Sequence, residues 1–121
     1  MSSKHTLILG ASTNPNRYSF LAAGSLINHQ HPITLVGIKE GTVNGSSILH
    51  SIPKDLIVDT VTVYLGAKNQ TGYYDDLIKL NPKRIIFNPG AENPELEKLA
   101  IENGIEVENA CTLVLLSIGQ Y

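Results

Sequence analysis

The hydrophobic pattern of this chain is a series of short, unbroken apolar runs separated by stretches of helical period. That alternation admits few folds. The runs are Thr6–Leu9, Ile33–Ile38, Val61–Leu65, Arg84–Phe87 and a weaker Ile105–Val107. Continuous apolarity, rather than apolar–polar alternation, is what a strand buried on both faces requires. Between the runs, Tyr18–Asn28 places Leu21, Ala22, Ser25 and Leu26 on one helical face and stops before Pro32. Gly72–Leu80 does the same with Tyr73, Leu77, Ile78 and Leu80, and Asn81-Pro82 ends it. Pro94–Asn103 has Asn93 as its expected N-cap, Pro94 in its first turn and Gly104 beyond its end. A last helix, Cys111–Ile118, closes the chain. The turn-rich stretch between the second and third runs reads as an irregular crossover with a short strand or helix around Ile48–Leu49.

Strands alternating with helices through right-handed crossovers make a parallel sheet covered on both faces. The expected fold is α/β, a three-layer Rossmann-like arrangement with a five-stranded parallel sheet in the order 3-2-1-4-5. Ligands of such sheets sit in a crevice at the carboxyl ends of the strands. The residues to inspect therefore follow Leu9, Ile38, Leu65 and Phe87.

After the first run comes GASTNPNRYS, residues 10–19. Gly10 permits a sharp turn, and Ala11 and Ser12 are small enough for close approach of a ligand. Ser12, Thr13 and Ser19 offer hydroxyls, and the helix beginning at Tyr18 offers unpaired backbone amides. Together with the helix dipole and the Arg17 guanidinium, these groups favour a phosphate. The alternative is a plain strand-to-helix turn with capping residues. After the second run, Lys39 stands where dinucleotide folds carry the residue that reads the ribose. A cation there suits a phosphorylated ribose, while a solvated Lys39–Glu40 pair is the alternative. Asn88-Pro89-Gly90 form a tight loop ahead of the third helix, either a second amide-rich wall or an ordinary turn.

Composition narrows the classes further. The 121 residues are 42% hydrophobic and 17% charged, with a formal net charge of −2. The length suits one domain spanning residues 1–121, and the charge argues against a nucleic-acid partner. The single cysteine, Cys111, excludes an internal disulfide and fits a reducing compartment. No apolar stretch approaches the ~20 residues of a membrane span, and the first residues lack a signal-peptide core. A cytoplasmic location is expected. His5, His29, His31 and His50 lack metal-ligand spacing, so no metal site is expected, and His29 and His31 read as solvated turn residues. Asp75 and Asp76 read as the wet face of a helix, and Cys111 as a structural thiol. No catalytic residues are assigned.

The order of these features resembles the small stand-alone CoA-binding proteins, whose single domain is similar to the nucleotide-binding half of the succinyl-CoA synthetase α subunit. The resemblance covers nearly the whole chain. It rests on Gly10, Ala11, Ser12, Asn14, Arg17, Tyr18 and Ser19, on the end of the second strand, on Val58-Asp59-Thr60-Val61, and on Asn88-Pro89-Gly90. It implies coenzyme A or an acyl-CoA along the strand ends. Gly10, Ser12, Asn14 and Arg17 would face the pyrophosphate, and Lys39 the ribose 3′-phosphate. Val63, Tyr64 and Leu65 would line the adenine or pantetheine path, with Asn88, Pro89 and Gly90 as the far wall. The chain departs from the family pattern with Val36-Gly37-Ile38-Lys39 after the second strand, and with Asn88 where a glutamine is common. The expected role is binding without catalysis, by a monomer or weak homodimer, with no membrane partner. An NAD(P)-type enzyme using Tyr18, Tyr64 or Cys111 is one alternative. An interaction module that has lost its ligand is another.

Overall fold

The register of the central strands sets the position of everything else. In the computed structural model, which describes residues 3–121, β1 (Thr6–Leu9) pairs in parallel with β2 (Ile33–Val36) on one side. On the other side it pairs with β5 (Thr60–Val63). Leu9 lies beside Val36 and Val63, Val63 beside Phe87 of β6 (Arg84–Phe87), and Phe87 beside Asn109 of β7 (Glu106–Asn109). The strands therefore end level, and the loops that follow them gather along one edge.

The segment read as an irregular crossover forms two further strands, β3 (Thr42–Val43) and β4 (Ser46–Leu49). β4 adds in parallel to β2, and β3 turns back antiparallel to β4. The sheet thus has seven strands, not five, in the order β3-β4-β2-β1-β5-β6-β7. The third place of the expected 3-2-1-4-5 order is filled by β4, not by the run at 61–65, which lies on the far side of β1 as β5. The physical reason is local. Ser46–Leu49 buries only its Ile48 side chain deeply, so it carries no continuous apolar run to announce a strand.

Parity along the strands divides the core into two layers. Leu7, Leu9, Val61, Val63, Ile85 and Phe87 pack with Leu77 of α2 (Tyr74–Leu80) and with Leu96 and Ala100 of α3 (Pro94–Glu102). Ile8, Leu35 and Ile48 point the other way, onto Ala23 and Leu26 of α1 (Tyr18–Asn28) and Leu116 of α4 (Thr112–Ser117). Burial on both faces explains the unbroken runs. Emptying one such site, as in Leu→Ala, costs about 2–5 kcal/mol.

Helix ends follow their residues. Asn93 caps α3 by accepting from the Leu96 amide at 3.2 Å, with Pro94 in the first turn. Two short 3-10 turns, Ala67–Asn69 and Thr71–Tyr73, precede α2, so the helix expected from Gly72 begins at Tyr74. Asp75 and Asp76 are exposed, as expected. His31 departs from the expected solvated turn, because its ring is half-buried and its Nδ1 accepts the Lys4 amide at 2.9 Å.

Candidate functional site

Gly10 ends β1 with φ of 98°, a conformation that favours glycine. Its amide and that of Ala11 both donate to the Val36 carbonyl, at 2.8 and 2.9 Å, which folds the loop over the end of β2. Two glycines beyond β2 let it settle there. A Cβ at Gly37 would lie 2.5 Å from the Ala11 carbonyl oxygen, and one at Gly41 would overlap the Thr13 methyl. Residues 10–13 are thereby clamped between Leu65 on one side and the 37–41 turn on the other.

Within the loop, the Ser12 hydroxyl accepts the Asn14 amide and the Asn14 side-chain oxygen accepts the Asn16 amide, both at 3.0 Å. These local bonds shape the turn and leave the Ser12 O–H and the Asn14 side-chain N–H groups as donors. α1 then begins without a side-chain cap, with Arg17 in the N-cap position. Orphan amides at a helix start need a partner from elsewhere, and an anion is the natural one.

A cleft of about 430 Å³ opens at this point. Gly10, Ala11, Ser12, Asn14, Arg17, Tyr18, Ser19, Lys39, Tyr64, Leu65 and Pro89 of the expected site residues line it. Thr13 and Ile38 line it as well. Thr13 lay within the recognised loop. Ile38 carries its own signal, since it is an isoleucine in a turn between Gly37 and Lys39 and stands 75% exposed.

Three expected residues lie elsewhere. Val63 is fully buried, its side chain turned into the α2–α3 core by strand parity, so it does not line the cleft. Asn88 is buried and fully engaged. Its amide nitrogen donates to the Thr62 hydroxyl at 2.7 Å and the Val63 carbonyl at 2.9 Å, while its oxygen accepts the Thr112 amide at 2.9 Å. Asn88 braces the loop from behind and leaves Pro89 to face the cleft. Gly90 is exposed beyond the lining, with φ of 92°.

The electrostatics of the cleft are one-sided. Arg17 and Lys39 border it, and neither takes part in an ion pair among the described residues. Among the described residues no carboxylate lines it, and Glu40, next to Lys39, faces His50 at 3.6 Å instead. An overall acidic protein thus carries a locally cationic cleft. The other titratable lining groups are Tyr18, which is exposed, and Tyr64. Burial pushes the Tyr64 phenol up to about 12, against the opposing pull of the nearby Thr62 and Thr112 hydroxyls. Those two hydroxyls bond each other at 2.8 Å, and the Tyr64 hydroxyl has no hydrogen-bond partner among the described residues. A phenol held neutral in this way is no general base at neutral pH. Cys111 is half-buried and does not line the cleft. Among the described residues no cluster suits a metal ion, and no helix is long and apolar enough to cross a membrane.

The strand ends of this Rossmann-like sheet thus carry a cationic cleft that no carboxylate among the described residues lines. Residues 4–117 match the family described as the CoA binding domain, and the chain belongs to that family. A crystal structure of an uncharacterized protein is 49% identical over the whole of both chains, with a TM-score of 0.97. A Thermus thermophilus structure is 22% identical, covers 98% of this chain and 91% of its own, and has a TM-score of 0.84. Acetyl-coenzyme A synthetase 1 of Ca. Korarchaeum cryptofilum, described in complex with phosphate and ADP, is 18% identical with a TM-score of 0.70. That match covers 88% of this chain and 25% of the synthetase. A comparison with curated proteins gave no match.

Proposed function

We propose that the chain binds coenzyme A, free or acylated, in the cleft between the 10–19 loop, the 37–39 turn and Pro89, and performs no chemistry on it. The observation that carries this reading is the pairing of an uncapped helix start with two unpaired cations in a cleft without carboxylates. The pyrophosphate lies over the first turn of α1, with Arg17 and the Ser12 and Asn14 donors. Lys39 receives the ribose 3′-phosphate, while Ile38, Tyr64 and Leu65 give the adenine and pantetheine an apolar wall. The expected NAD(P)-type enzyme fits less well. The lining holds no carboxylate for the ribose hydroxyls of NAD, and no general acid or base matched to neutral pH for chemistry on either nicotinamide cofactor. The protein would carry or sense its ligand rather than transform it.

A thermal-shift panel of CoA, dephospho-CoA, NAD and NADP tests the reading. A ligand at 100 times its Kd adds about 2.7 kcal/mol to native stability, which raises Tm by about 10 °C in a chain of this size. CoA should give such a shift and NAD none. Dephospho-CoA should fall short of CoA in the wild type, and the gap should close in Lys39→Ala. Equal shifts by CoA and NAD, or no shift by any ligand, contradict the proposal.

A further inference from the structure

Of the ten asparagines, two are followed by glycine, Asn44-Gly45 and Asn103-Gly104, while Asn14, Asn81, Asn88 and Asn93 precede proline. An asparagine–glycine pair is the dipeptide most prone to attack of the following backbone nitrogen on the asparagine's side-chain carbonyl. Glycine has no side chain to obstruct that approach, whereas proline has no N–H to lose. Both pairs are exposed, so access to water does not separate them. Hydrogen bonding does.

Asn103 and Gly104 are held by the end of α3. The Asn103 side-chain nitrogen donates to the Leu99 carbonyl at 2.8 Å, and the Gly104 amide donates to the Ile101 carbonyl at 3.0 Å. The leaving nitrogen and the attacking nitrogen are thus both engaged. Freeing them disturbs the adjacent bond from the Ile105 amide to the Ala100 carbonyl, which anchors a buried isoleucine. Asn44 and Gly45 are instead the two central residues of the β3–β4 turn, with φ of 49° and 81°, as a type I′ hairpin turn demands. Among the described residues, neither the Asn44 side chain nor the Gly45 amide has a hydrogen-bond partner. An L-residue leaves the left-handed region readily, and β3 is only two residues long, so this turn opens at small cost.

We propose that Asn44 is a self-modification site, converted in the folded protein to aspartate and isoaspartate while Asn103 is spared. The Gly45 nitrogen gives up its proton and bonds to the side-chain carbonyl carbon of Asn44. The side-chain nitrogen takes up that proton and departs as ammonia, leaving a succinimide. Water then opens the ring. Breaking the new carbon–nitrogen bond leaves aspartate, and breaking the original peptide bond leaves isoaspartate, whose main chain runs through the side-chain carbons. Either product places a carboxylate within residues 41–49, a stretch that holds no Asp, Glu, Lys or Arg. Isoaspartate also lengthens the main chain by one carbon between Thr42–Val43 and their partners Ser47 and Ser46, so this short ladder loses its register.

Incubation of the full chain at mildly alkaline pH, followed by tryptic digestion and peptide mass spectrometry, tests the site. Cleavage after Lys39, Lys54 and Lys98 puts Asn44 in peptide 40–54 and Asn103 in peptide 99–121. Unincubated protein sets the baseline, and isoaspartate-specific methylation labels the rearranged product. In the native protein Asn44 should convert at least ~tenfold faster than Asn103, a barrier difference of about 1.4 kcal/mol that the hydrogen bonds at Asn103 supply. In urea, where both pairs lose their surroundings, the two rates should converge. Equal rates in the native protein, or a faster Asn103, overturn the proposal. So does an Asn44 that persists in the native protein while it reacts in urea.

Discussion

At the scale of single residues, the site depends on what glycine permits as much as on what the cations supply. Gly37 lets the Ala11 carbonyl come closer than any Cβ would allow. In Gly37→Ala the 10–13 loop must move, and overpacking of this kind typically costs 1–3 kcal/mol. The expected outcome is a Tm lowered by about 5–10 °C together with weaker CoA binding, measured by melting and titration on one preparation. An unchanged Tm would show that the loop is not clamped. That Gly10, Ser12, Arg17 and Lys39 gather at one cleft was legible in the sequence, because each follows a strand that ends at the same edge of the sheet. Val63 was not placed correctly, because facing the core or the cleft is a matter of strand parity that a continuous apolar run conceals. Asn88 read as a wall of the site, yet an asparagine's three hydrogen bonds become visible only when its neighbours are folded around it.

At the scale of elements, the loop after β6 and the starts of α3 and α4 are held by one buried polar network. Asn88 joins β5 to α4, and Gln70 donates to the Leu65 and Ala91 carbonyls at 2.8 Å each. Asn93 donates to Gln70 and to the Tyr74 hydroxyl, at 3.0 and 2.9 Å, while capping α3. Removing one member strands several partners, and each buried unsatisfied group costs about 1–3 kcal/mol. Asn88→Ala should therefore lower the urea midpoint by an amount equivalent to about 2–4 kcal/mol, with the m-value unchanged. A change within experimental scatter would mean that water replaces the lost bonds. The strands of the sheet centre and α3 could be read in advance from continuous apolarity and capping chemistry. β3 and β4 could not, since a half-buried edge segment with two serines has the composition of a loop.

At the scale of the whole molecule, the two ends of the sheet behave differently. The carboxyl ends carry the cleft, and the opposite end holds His31 between the Lys4 amide and the Tyr121 ring, with centroids 5.0 Å apart. Burial, with the charges of Lys4, His29 and Arg84, holds His31 below its ordinary value of 6.5, and Asp59 opposes them. The unfolded chain then binds this proton more readily than the native one. Its contribution to stability is present above pH 6.5 and is lost as pH falls through the native value. Melting at about pH 7.5 and about pH 5 should show a larger drop for the wild type than for His31→Gln. Equal drops would assign the acid sensitivity to other groups. At this scale the α/β class was legible in the alternation of runs and helices, whereas the place of β5 beside β1 depended on finding β4.

We propose that CoA occupies the cationic cleft at the carboxyl ends of β1, β2 and β5. Backbone amide shifts of isotope-labelled protein during a CoA titration test it most directly. The largest changes should fall on Gly10–Ser19, Gly37–Lys39 and Tyr64–Leu65, while the amides around His31 at the other end of the sheet stay still. Changes concentrated at that opposite end, or none at saturating CoA, would contradict it.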